Sequence, residues 1–138
     1  MPTQTKGLAV VQWPVRDLER SLAWYQNMLG VSLTFPYTPG DDAAWLNLGN
    51  VGFGLVQTAA VPQLDYQDIH GAWRPLVQFQ VDNIHDVHQS LRDQGIETSN
   101  MSYVRGGGHS FTIIDPDGNK VSLWGGWPSE EDENEEHR

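Results

Sequence analysis

The feature that most constrains this chain is an internal repeat at an offset of 66 residues. Val11-Gln12-Trp13-Pro14-Val15-Arg16-Asp17-Leu18 matches Val77-Gln78-Phe79-Gln80-Val81-Asp82-Asn83-Ile84. A unit of roughly 50 residues cannot easily bury a sheet alone, so two copies must share the work of folding. In both copies the bulky apolar residues alternate: Val11, Trp13 and Val15 in the first, Val77, Phe79 and Val81 in the second. That is the period of a β-strand with one buried face. Each strand runs into a helix. Leu18, Leu22, Tyr25 and Leu29 mark the first helical stripe, and Ile84, Val87 and Leu91 the second. Asp17 and Asn83 are the expected N-caps, and Gly30 and Gly95 the expected helix stops.

Short strands follow each helix, over about Val31–Tyr37, Ala44–Gly49 and Gly52–Gln57 in copy one. In copy two they are expected over Thr98–Val104, Ser110–Ile114 and Lys120–Trp124. Asp115-Pro116-Asp117-Gly118-Asn119 is a turn with a mechanism, because Pro presets φ and Gly tolerates the positive φ that closes a hairpin. The chain therefore reads as α+β, with the unit βαβββ written twice. Module one spans about 8–58 and module two about 75–127, with 59–74 as a linker between them. Together they form a single domain over 1–128.

Of the 18 acidic residues, six lie in the last ten positions, which hold no apolar residue. Residues 129–138 are thus expected to be a solvated, disordered tail, and the body carries −5 of the net charge of −10. That acidity argues against nucleic acid, which needs clustered Lys and Arg. There is no Cys for disulfides or thiolate chemistry and no apolar run long enough for a membrane span. The N-terminus lacks the layout of a signal peptide, so a soluble cytoplasmic protein is expected.

Val-Arg-Asp-Leu-Glu-Arg-Ser-Leu-Ala-Trp-Tyr-Gln-Asn-Met-Leu-Gly (Val15 to Gly30) resembles the first-helix signature of the vicinal oxygen chelate superfamily. That group includes glyoxalase I, extradiol dioxygenases and bleomycin-resistance proteins. Asp115 to Val121 is similar to the family's last hairpin, and the likeness runs from Leu8 to Trp127. It implies two βαβββ modules whose mixed sheet curves around a cavity, with helices outside, commonly in a homodimer. It also implies a divalent metal held by four side chains. The corresponding positions here are Val10, Leu76, the neighbourhood of Gly54, and Ser122. Val and Leu have no donor atom, Gly has no side chain, and a neutral hydroxyl is a poor ligand. The expectation is therefore a protein without metal or other cofactor.

Strand alternation gives the face opposite the helices. It should carry Gln12, Gln78, Gln80, Ser122 and Trp124, with Thr112 across from Ser122 and with Trp45 and Asn47 facing inward. Neutral amides and hydroxyls between indole walls suit a small organic molecule. Gln12 and Gln78 are equivalent in the repeat and offer one ligand donors and acceptors from both sides; the alternative is that they satisfy each other or nearby backbone. Arg105 and His109 flank three glycines and are expected to close over a ligand. His109 is the one weak candidate for acid–base work. His85 and His88 are read as a solvated helix surface, and His70 and His137 as linker and tail. The leading expectation is a metal-free binder that sequesters a planar or cationic compound, the resemblance to the bleomycin-resistance branch supplying the sequestration. The alternatives are a lyase, isomerase or dioxygenase with divergent ligands or His109-assisted chemistry, and a structural or regulatory dimer with a filled cavity.

Overall fold

The repeat is visible as topology. A computed structural model describes residues 3–136, and the chain divides into two compact units, Met1–Pro62 and Gln63–Arg138. In the first, β1 (Val10–Val15), α1 (Leu18–Leu29), β2 (Ala43–Leu48) and β3 (Val51–Gln57) form a helix over a three-stranded sheet of order β1-β3-β2. β1 lies parallel to β3, and β2 antiparallel to it. In the second unit β6 (Gln78–Gln80) lies parallel to β9 (Lys120–Trp124), and β8 (Gly108–Ile114) antiparallel to β9. β7 (Ser102–Val104) completes the order β6-β9-β8-β7, and α2 (Ile84–Asp93) packs on β8. First strand beside last strand, parallel, is the same device in both units. The chain is α+β, and among the described residues no helix is long and apolar enough to cross a membrane.

The period-2 pattern sets the cores. Trp13, Val15, Ala44, Leu46, Phe53 and Leu55 are buried on one face of the first sheet, under Leu18, Leu22 and Tyr25 of α1. Trp13, Tyr25 and Phe53 meet edge to face at 5.6–6.3 Å, the geometry that aromatic quadrupoles favour. In the second unit Phe79, Phe111, Ile113, Val121 and Leu123 are buried with Ile84 and Leu91 of α2. Asp17 caps α1 by accepting the Arg20 N–H at 3.2 Å, and Gly30 ends it at φ 64°. A long-range cap adds to this: Gln57 Oε1 accepts the Leu18 N–H at 3.0 Å. The Asp115–Asn119 turn forms as expected, with Asp115 accepting the N–H groups of Asp117 and Asn119.

Five expectations are corrected. Asn83 precedes α2 but gives no side-chain cap; its backbone is left-handed (φ 54°, ψ 53°), which turns its oxygen away from the first helical amides. The strand expected at Val31–Tyr37 shrinks to one bridge, Leu33 to Leu46, and Thr98–Val104 splits into a Thr98–Ile113 bridge and β7. The linker 59–74 contains nearly all of a hairpin, β4 (Asp65–Gln67) against β5 (Trp73–Pro75), of which only Pro75 lies beyond it. Asp68 builds its turn by accepting the N–H groups of His70 and Ala72 and the Arg74 Nε. The tail forms α3 (Glu130–Glu136). Ser129 and Asp132 cap each other reciprocally, and acidic residues crowd the first turn, where the helix dipole favours them. His137 lies outside the described residues.

Candidate functional site

The face of the second sheet away from α2 is built in two rows. Gln78, Ser122 and Thr112 are register partners across β6, β9 and β8, and so are Gln80, Trp124 and Ser110. Gln78 Nε2 donates to Ser122 Oγ at 3.1 Å, so the buried hydroxyl is satisfied. Beside these rows is a pocket of about 440 Å³ lined by Arg74, Gln78, Val104, Gly107, Gly108, Ser110, Trp124 and Trp127. Its volume falls within the range of small-molecule sites.

Each wall has a local cause. Trp124 is fixed, because its Nε1 donates to the Gly107 carbonyl at 2.7 Å. Trp127 meets it edge to face at 4.9 Å and is 78% exposed, leaving most of its ring open. Gly108 stands at φ 92°, where a Cβ would collide with the Gly126 carbonyl oxygen, so only glycine lets these two segments close behind the indoles. Arg74 enters from β5 with its Nε held by Asp68 Oδ2 at 2.8 Å. The Arg74 side chain beside Asp68, and then the Ala72 and His70 amides, hold that carboxyl below its ordinary range. The Asp68 hydrogen bond in turn raises Arg74, which stays charged.

Of the expected site residues, Gln78 and Trp124 line this pocket, while Ser122 and Thr112 lie in the adjacent row of the same face. Gln12, Trp45 and Asn47 belong to the first unit, on the face of its sheet away from the core. Gln12, Gly54 and Trp45 are register partners there, and Asn47 Oδ1 accepts the Thr34 hydroxyl at 3.0 Å. Arg105 is exposed on the turn before β8 and is not among the lining residues. His109 is a correction. β8 begins at Gly108 rather than Ser110, so His109 shares the core face with Phe111 and Ile113. Its ring meets His85 edge to face at 4.5 Å and Tyr103 at a tilt at 4.6 Å, on the α2 side. His85 and His88 are likewise more than a solvated surface, since His88 packs at 4.5 Å from Phe111 and its Nε2 meets the Ser99 carbonyl.

Sequence reasoning missed Arg74, Ser110 and Trp127. Ser110 was within reach, two residues before Thr112 on the same strand face. Arg74 gave one signal, an opposite charge at Asp68 across Gly71. The positive charge it brings is the reverse of what the expected cationic ligand would seek.

The four positions where the resemblance implies metal ligands do not fit a divalent ion. The Trp45 ring lies against Gly54, so a side chain there would strike the indole. Ser122 Oγ is engaged by Gln78, and Val10 and Leu76 offer no donor. Among the described residues no group of three or more His, Cys, Asp or Glu side chains is placed to hold a metal.

Comparison with known proteins agrees with this architecture. The model of the Glyoxalase/Bleomycin resistance protein/Dioxygenase superfamily matches residues 7–123. A lactoylglutathione lyase of Salmonella typhimurium is 32% identical over 117 residues, covering 79% of this chain and 84% of the relative. The crystal structure of lactoylglutathione lyase from Agrobacterium tumefaciens has a TM-score of 0.68 at 17% identity, over 90% of this chain and 96% of that one. A fosfomycin resistance protein of Listeria monocytogenes, solved with Mn(II) and dihydroxypropylphosphonic acid, has a TM-score of 0.65 at 16% identity, over 94% and 97%. These two structures speak for the fold alone. The family model spans most of the chain, and with the repeated strand–helix–hairpin unit it places this protein in the glyoxalase/bleomycin resistance/dioxygenase superfamily.

Proposed function

We propose that this chain is a small-molecule-binding protein that retains a planar organic compound in the Trp- and Gln-lined pocket of its second unit. One observation carries the reading: two indoles, one fixed and one open, stand in one pocket with Arg74, Gln78 and Ser110. Apolar walls with a few placed polar groups are the usual make-up of such a site. Sequestration without turnover is supported by the donor-poor ligand positions and by His109, which faces the helix. The homodimer implied by the family resemblance belongs to the same proposal and is tested by sedimentation.

Isothermal calorimetry with planar heteroaromatic compounds tests the site. Binding that Trp127→Ala weakens about tenfold supports it, in line with stacking worth 0.5–1.5 kcal/mol or more per aromatic pair. Binding indifferent to Trp127→Ala and Gln78→Ala places the ligand elsewhere.

A second reading, an enzyme, is favoured by the 32% identity to a protein named lactoylglutathione lyase. Lactoylglutathione lyase activity on addition of a divalent metal would establish it. The third, a filled cavity, draws support from Trp45 over Gly54 in the first unit, whereas the open pocket of the second counts against it.

A further inference from the structure

The pocket reading leaves the charge of the ligand open. Resting on that reading, we infer that the ligand is a planar aromatic anion whose carboxylate, or similar acidic group, seats on Arg74 while its ring meets Trp127.

Three observations converge. The first is how Arg74 is held. Asp68 Oδ2 takes only the Nε, and Asp68 Oδ1 is occupied by the His70 and Ala72 N–H groups at 2.9 and 3.0 Å. The hairpin turn thus anchors the carboxylate, and the carboxylate orients the guanidinium. No protein acceptor takes either Nη among the described residues. A guanidinium offers five N–H donors in a fixed fork, and four of them remain for a planar oxyanion.

The second observation is the balance of the other polar groups. No carboxylate lines the pocket, and the Asp68 partner of Arg74 is not among the lining residues, so a cationic ligand would meet the guanidinium without an acidic group of its own to contact. Ser110 Oγ has no partner among the described residues and adds another donor to the same wall. Gln78 spends its Nε2 on Ser122 and keeps its carbonyl oxygen for a ligand N–H. Donors therefore gather at the Arg74 and Ser110 side, with one acceptor at Gln78.

The third is shape. Trp124 is pinned through its Nε1, and Trp127 crosses it nearly at right angles, 84° between planes. This corner accepts a flat ring against one indole face and the edge of the other. The net charge of −10 does not decide the matter, because charges beyond about 8 Å are screened at physiological ionic strength while Arg74 makes direct contact.

The test uses the full chain and calorimetry with three probes of one shape: quinoline-2-carboxylate, quinoline-2-carboxamide and N-methylquinolinium. The carboxylate is expected to bind at least tenfold more tightly than the carboxamide, and the cation least. Arg74→Gln should erase the carboxylate's advantage over the carboxamide. Arg74→Lys, which keeps charge but loses the fork, should retain part of it. If the carboxamide or the cation matches the carboxylate and all three depend on Trp127, the pocket stands and the anion inference falls. A carboxylate preference that survives Arg74→Gln overturns it equally. If none of the three binds, the pocket reading fails as well.

Discussion

The indole of Trp45 lies against the α-carbon of Gly54, its register partner across β2 and β3, so closely that a Cβ on Gly54 would stand 2.5 Å from ring carbon Cζ3. The family resemblance sets one of its implied metal ligands in this neighbourhood. Gly54→Ala must therefore displace the ring and is expected to cost about 1–3 kcal/mol. Trp45→Ala removes the obstacle, so the double variant should be more stable than the sum of the single losses. A double-mutant cycle by denaturant unfolding reads the coupling.

The two helix starts predict opposite responses. Asp17→Ala removes a cap made by its side chain and should cost about 1 kcal/mol. Asn83 makes no such bond and sits at φ 54°, so Asn83→Gly should be neutral or slightly stabilising, and Asn83→Ala destabilising. Thermal unfolding of the three variants checks the contrast. Equal losses for Asp17→Ala and Asn83→Gly would contradict it.

The acidic tail is fastened through Glu133. Glu133 accepts the Tyr103 hydroxyl with one oxygen and the Gly106 N–H, at 2.7 Å, with the other. Loss of a hydrogen bond of about 1 kcal/mol should accelerate amide exchange at Gly106 roughly fivefold in Glu133→Gln. Exchange in β9, which this carboxylate does not touch, should stay unchanged.

The Asp68–Arg74 clamp has a defined pH range. Asp68 has its folded pKa lowered, chiefly by the Arg74 side chain and then by the Ala72 and His70 amides. Its contribution is therefore full above the ordinary carboxylate range and is lost as pH falls through the lowered value. The Arg74 Nε–H signal should be constant from pH 7 to about pH 5 and should move only below about pH 4. Asp68→Asn should abolish that transition.

Much of the fold was legible because its signals are local. Period-2 alternation at Trp13, Val15, Phe79 and Leu123 assigned the buried faces, and Asp115 to Asn119 wrote its own turn. The Gln78–Ser122–Thr112 row followed from the same alternation. His109 was misplaced because three glycines read as a loop, although its parity with Phe111 and Ile113 already assigned it to the core. Arg74 was hidden because the β4–β5 hairpin is held by Asp68 hydrogen bonds and by strand pairing, not by an apolar pattern. The tail helix had a local sign, Ser129 and Asp132 at capping-box spacing. Its anchor at Tyr103 and Gly106 lies about thirty residues away in sequence, beyond the range of any local pattern.

The turn between β7 and β8 is tied down on both sides, by Glu133 at Gly106 and by Trp124 at Gly107. A wall fastened in this way cannot swing as a gate. Association at this pocket should accordingly be a single step whose rate rises in proportion to ligand concentration without levelling off. Selectivity among ligands would then lie in how long each one stays.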